Sequence, residues 1–265
     1  MRATARILAA ATGGTTTLPV LDGDGPFELR RLRSHGLQAR VCVVGAMTAP
    51  LGGDRLRIEA TAPQGAALHL TSAAATLALR GPPPEHATYD VHLTVGEHAQ
   101  LHWLPKPLIC AAGSELRQSW TIGRAPTARL VLREDQILGR TGEPSGRVTT
   151  RLTVRSGGRT LLDQQAAYGP GAPGWVGPAV LAGNRATGQL LLVDPHFKEH
   201  PRSPPVRRHL GRLRRLLGRH RPPPRGPLER ARRRLAAAGR ALSTAGRSPR
   251  WRGRTQRALP WTDQR

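Results

Sequence analysis

The residues in this chain whose spacing most resembles reactive chemistry are HFKEH at 196–200. In the H-x-x-E-H pattern one helix presents two imidazoles to a zinc ion beside a glutamate. Pro201, Pro204 and Pro205 leave almost no helix after His200 to hold such a pair rigid, so the segment reads as a linker with two solvated histidines. Residues 169–174 spell GxGxxG, yet two prolines stand where a phosphate cradle needs backbone N–H donors, and no strand-to-helix transition surrounds them. That stretch reads as a structural loop. No G-x-x-x-x-G-K-[ST] motif occurs, which excludes P-loop nucleotide hydrolysis. His92, His98 and His102 share one phase of an alternating pattern; on a hairpin they would gather on its polar face and offer imidazoles to a borderline metal such as nickel, the alternative being three solvated side chains. No Ser/His/Asp or Cys/His set stands out, and the chain is expected not to be an enzyme.

The elements that must carry these residues are short strands. Residues 39–61 hold two extended segments, RVCVV and DRLRIEA, around a Pro50–Gly53 turn, with Leu56 and Ile58 alternating with Arg55, Arg57 and Glu59. In YDVHLTV (89–95), Val91, Leu93 and Val95 share a face, and the alternation resumes after Gly96 with Ala99, Leu101 and Trp103, which predicts a hairpin. RVTTRLTVR (147–155) puts Val148, Leu152 and Val154 inward and Arg147, Arg151 and Arg155 outward, followed by a Ser156-Gly157-Gly158 turn. No amphipathic helix is read before residue 200, and no fixed-period repeat is evident. The expected fold is mainly β.

Charge separates this part of the chain from residues 201–265. Of 41 basic side chains, 20 lie in that final segment with only two of the 17 acids, so most of the net charge of +24 belongs to the last quarter. Residues 206–219 and 227–242 are its only candidates for helices, both basic. Few apolar residues and dense charge predict disorder, and the Arg/Pro/Ala/Gly composition is also what a GC-rich gene read out of frame produces. The predicted division is a β domain over 1–195 and an Arg/Pro-rich tail over 196–265 that is disordered or aberrant. Such a tail raises a second functional reading, a basic nucleic-acid binder. The nearly balanced charge and missing aromatic platforms of residues 1–200 argue against it. Cys42 and Cys110 are far apart, with no C-x-x-C, which fits a reduced cytoplasmic protein; no apolar run is long enough to span a membrane.

Several ordered blocks carry a resemblance: PLGGD (50–54), LHLTSAAATLAL (68–79), LTVGEHAQLHWLPKPLI (93–109), LRQSW (116–120), REDQILGRTGEPSGR (133–147) and DQQAAYGPGAPGWVGPAVLAG (163–183). In these, residues ~1–195 resemble the UreD/UreH family of urease accessory proteins, of actinobacterial type. The resemblance implies a β-helix-like scaffold of stacked sheets with few helices. It implies a role with a UreF-type accessory protein and a UreG-type GTPase on the urease apoprotein, with nickel in transit and no stably bound cofactor. A nickel route needs acidic or polar groups along an internal path, and the candidates are Asp54, Glu134, Asp135 and Glu143, with His98 and His102 behind them. Asp54 and Glu143 equally suit a purely turn-stabilising role. Trp103, Leu104 and Pro105 are the candidates for partner contact. Lys106 departs from the Gln or Glu more usual in the family, placing a positive charge beside this element.

Overall fold

The computed structural model describes residues 1–82 and 86–197. The last three residues of HFKEH and the two tail segments read from sequence as candidate helices, 206–219 and 227–242, lie outside the described residues. Among the described residues fifteen strands follow one another: β1 (Arg2–Thr12), β2 (Thr15–Asp22), β3 (Phe27–His35), β4 (Gln38–Gly45), β5 (Arg55–Ala62), β6 (Ala67–Ser72), β7 (Thr76–Ala78) and β8 (Ala87–Val95). The chain continues through β9 (Gln100–Leu104), β10 (Leu108–Cys110), β11 (Glu115–Arg124), β12 (Arg129–Leu138), β13 (Arg147–Ser156), β14 (Arg159–Tyr168) and β15 (Ala186–Val193). No helix occurs among the described residues.

The strands build two sheets. One is seven-stranded, in the order β14-β13-β11-β8-β5-β1-β2; the other is eight-stranded, in the order β3-β4-β6-β9-β12-β10-β7, with β15 also on β12. Through the middle of both, neighbours are parallel and the chain winds from one sheet to the other, a β-solenoid. Antiparallel pairs close the ends: β1 with β2, β3 with β4, β13 with β14 and β12 with β15. The hairpin expected at 156–158 is therefore β13–β14.

The hairpin expected at 96–99 does not form. β8 pairs with β5 and β11, and β9 pairs with β6 and β12, so the two strands lie in different sheets. Period-two alternation is satisfied either way, because Val91, Leu93 and Val95 on one sheet and Leu101 and Trp103 on the other all face the same core. The corner's backbone groups bond to the corners of adjacent coils instead: Gly96 N to Ala62 O at 2.8 Å and Gln100 N to Ala66 O at 2.8 Å. Gly96 permits this stacking, since a Cβ there would lie 2.7 Å from Gln64 N.

Coils repeat without a fixed period. Paired residues are 33 apart for Arg55 and Thr88, 29 apart for Ala87 and Leu116, and 32 apart for Glu115 and Arg147. Variable corner lengths hide the repeat from a search at constant spacing.

Register aligns inward side chains into rows along the solenoid. Ala5, Ile58, Val91, Trp120 and Leu152 form one row of the seven-stranded sheet, and Leu68, Leu101 and Leu130 form one of the eight-stranded sheet; every residue in both rows is at most 3% exposed. A third row starts apolar, with Ala3, Leu56 and Tyr89, then turns polar at Gln118 and Thr150. That change marks the site.

Candidate functional site

The polar end of this row faces β12. Alternation along β12 turns Leu130, Leu132, Glu134, Gln136 and Leu138 inward, so a carboxylate and an amide sit in phase with three core leucines. Glu134 is 5% exposed and Gln136 2%. One Glu134 oxygen, Oε1, accepts from Thr150 Oγ1 at 2.6 Å, Gln136 Nε2 at 2.8 Å and Trp120 Nε1 at 3.4 Å; the other, Oε2, accepts from Gln189 Nε2 at 2.6 Å. All four donors are neutral, so the carboxylate is solvated by dipoles rather than by a counter-ion.

Solvent reaches Glu134 through a breach in the eight-stranded sheet. β9 pairs with Arg129–Leu132 and β10 with Gln136–Leu138, leaving Arg133–Asp135 opposite the Pro105-Lys106-Pro107 interruption. Two prolines here cannot donate to a ladder, which breaks what would otherwise be one strand. Arg133 Nη2 donates instead to the Pro105 carbonyl at 2.7 Å. The neighbouring coil breaks in step between β6 and β7, and the stacked breaks enclose a cavity of about 350 Å³. Its walls include Met47, Ala74, Trp103, Lys106, Gln118, Glu134 and Asp135. A second cavity of about 270 Å³ lies between β14 and β15, lined by Gln136, Thr150, Gln164, Gln189 and again Glu134. Glu134 is the wall the two share.

The acidic candidates separate. Asp135 joins Glu134 at the larger cavity, where its carboxylate is 3.3 Å from Arg133 Nε. Asp54 and Glu143 line neither cavity. Asp54 accepts from the Met1 amino group at 3.0 Å and from Leu51 N at 2.9 Å, while Glu143 closes the 140–143 turn on the Arg140 backbone N–H and guanidinium. Those hydrogen bonds from Arg140 hold the Glu143 carboxyl down at about 2.

The histidines do not gather. His92 is on the outer face of the seven-stranded sheet, His98 is at an exposed corner with a left-handed backbone (φ 55°), and His102 is on the outer face of the other sheet. The parity that suggested a cluster required the hairpin. His102 instead meets His69 across β6 and β9, ring centroids 5.9 Å apart. No group of three or more His, Cys, Asp or Glu side chains placed to hold a metal occurs among the described residues. Burial, with a further contribution from His69, pushes the His102 pKa down to about 4. An unfolded histidine titrates near 6.5, so between these values the unfolded chain binds a proton that the folded chain refuses. Stability should therefore fall as pH drops from 6.5 towards 4. Imidazole NMR titration checks this, and a His102 midpoint near 6.5 would contradict it.

Trp103, a candidate for partner contact, is only 3% exposed and packs edge-on against Trp120 at 5.8 Å, so its indole belongs to the core and the cavity wall; Leu104 and Pro105 are half-buried. Gln118, Gln136, Thr150 and Gln189, absent from the residues singled out by sequence, complete the site. Parity with the core leucines was the available signal for Gln136, and parity with Val148 and Leu152 for Thr150.

The family model described as UreD urease accessory protein matches residues 1–259. The chain belongs to the UreD family. The matched span runs past residue ~195, where the resemblance read from the sequence stops, and into the Arg/Pro-rich tail. Urease accessory protein UreD 2 of Saccharopolyspora erythraea is 60% identical over 211 residues, covering 80% of this chain and 74% of its own length. UreD 3 of Streptomyces griseus is 62% identical over 206 residues (76% of this chain, 80% of its own), and the UreD of Streptomyces avermitilis is 58% identical over 203 residues (76% and 81%). Each of these relatives is named as an accessory protein. Among the described residues, no helix is long and apolar enough to cross a membrane.

Proposed function

We propose that this UreD chain is a non-catalytic cytoplasmic scaffold for urease maturation, which joins a UreF-type accessory protein and a UreG-type GTPase on the urease apoprotein and offers nickel an internal route. The observation that carries the reading is Glu134, a buried carboxylate that forms the common wall of two cavities and is held by neutral donors alone. A carboxylate without a counter-ion attracts a cation, and its position between the cavities suits a cargo that must be received and released. The solenoid, all strand and loop among the described residues, supplies a hydrogen-bonded frame for this task, which calls for neither a nucleophile nor a general base.

The test is co-expression of the urease structural and accessory genes with and without this chain, reading nickel content and urease activity together. Omission should leave urease nickel-poor and inactive. Equal activation in its absence would refute the maturation role.

A further inference from the structure

Two side-chain oxygens near Glu134 have no hydrogen-bond partner: Gln118 Oε1 and Gln136 Oε1. Both residues are at least nine-tenths buried, at 5% and 2% exposure. A buried acceptor without a donor gives up its hydrogen bonds to water and gains none in return, so two beside one carboxylate call for a common physical reason. Gln136 is fixed in this orientation because its amide nitrogen donates to Glu134 Oε1, which leaves its buried oxygen without a donor. Gln118 lines the larger cavity, Gln136 the smaller, and Glu134 both. Acceptors without donors, on either side of an uncompensated negative charge, suit a species that brings positive charge together with O–H donors. A hydrated divalent cation is such a species. Trp103 Nε1, a buried donor without a partner at the larger cavity, is placed to donate to water that such an ion would carry.

We infer that Gln118, Glu134 and Gln136 form an all-oxygen way-station that holds a divalent cation with much of its water still attached, and does not distinguish nickel from other divalent ions. This deepens the proposed nickel route and rests on that reading. The donor set decides the selectivity. Among the described residues, neither cavity wall includes His or Cys, and the only sulfur is Met47, itself 53% exposed. Amide and carboxylate oxygens suit Mg²⁺, Ca²⁺ and Mn²⁺ as readily as Ni²⁺, whereas imidazole and thiolate ligands are what separate the later transition metals. A site with this chemistry passes a cation on quickly and leaves the choice of metal to whatever loads it.

Mn²⁺ alone is the probe, added to the full chain purified with its co-expressed accessory partners and read by electron paramagnetic resonance and water-proton relaxation. The wild-type complex should bind Mn²⁺. Ni²⁺ and Mg²⁺ should displace it at concentrations within about tenfold of each other, as expected of hard oxygen ligands. A Gln118→Leu/Gln136→Leu double variant should bind at least tenfold more weakly. Gln118→Glu, which retains the side-chain volume, leaves the Gln136 bond to Glu134 intact and adds a carboxylate at the larger cavity, should bind more tightly, so the result does not depend on the double variant folding well. Absence of Mn²⁺ binding, displacement by Ni²⁺ at concentrations a hundredfold below Mg²⁺, or an unchanged affinity in Gln118→Glu would each overturn the site. Urease activation in the same strains separates the two claims. Binding as described beside a urease that matures without the chain defeats the maturation role, while full activation by a chain that binds no Mn²⁺ defeats the way-station.

Discussion

Glu134→Ala should destabilise the fold by about 2–4 kcal/mol and reduce urease activation at least tenfold. The stability loss arises because four donors (Trp120, Gln136, Thr150 and Gln189) lose their acceptor at once inside the protein. The simple sum of four orphaned donors would be larger, but the adjoining cavities admit water that re-satisfies some of them. Glu134→Gln separates charge from structure. Its amide oxygen can keep the three bonds at the Oε1 position, while its NH₂ meets the Gln189 amide nitrogen, donor against donor. Gln189 cannot turn freely, since its own oxygen accepts from Gln164. The Gln variant should therefore lose only about 1 kcal/mol while losing most of the activation. Urea denaturation of both variants, with urease activity measured in parallel, tests this. An unfolding midpoint for Glu134→Ala equal to wild type would show that the carboxylate does not hold the network together.

Leu101→Ala is expected to cost about 2–5 kcal/mol by removing methyl groups from the middle of a core row. Leu101 is 0% exposed and stands between Leu68 and Leu130 in register, so neither neighbour can move into the space without leaving its own coil. Leu161→Ala is the control. That side chain is 53% exposed on β14, and its loss should stay within about 0.5 kcal/mol. Equal denaturation midpoints for the two variants would mean that the rows do not pack as described.

Strands and their facing were legible in the sequence, because alternation depends only on which side chains meet the core. Leu56, Ile58, Val91, Leu93, Val148 and Leu152 all point inward, as their spacing predicts. Partner choice was not legible. The corner after Val95 and the turn after Ser156 look alike in sequence, yet one passes the chain to the opposite sheet and the other reverses it on the same sheet. What separates them is whether corner amides find partners in adjacent coils, a long-range property. The candidate site divides similarly. Glu134 and Asp135 are adjacent and both acidic, but only Glu134 shares the phase of Leu130 and Leu132, so its burial could be read directly. The two prolines at 105 and 107 were an available signal for a broken strand that the reading of the sequence did not use. That this break would lie opposite Arg133–Asp135 required the register of β9 and β10 on β12.

The spacing between paired strands also sets a timetable for synthesis. β8 has no downstream neighbour until β11 is made, with Ala87 and Leu116 29 residues apart, and β11 then waits for β13 across the 32 residues from Glu115 to Arg147. At a ribosomal rate of about 5–20 residues per second, each ~30-residue interval leaves the newest strand with a bare edge for roughly 2–6 s. Every coil repeats that exposure, so the growing chain presents a succession of unpaired edges, and its yield in the cell will depend on how quickly each one is covered.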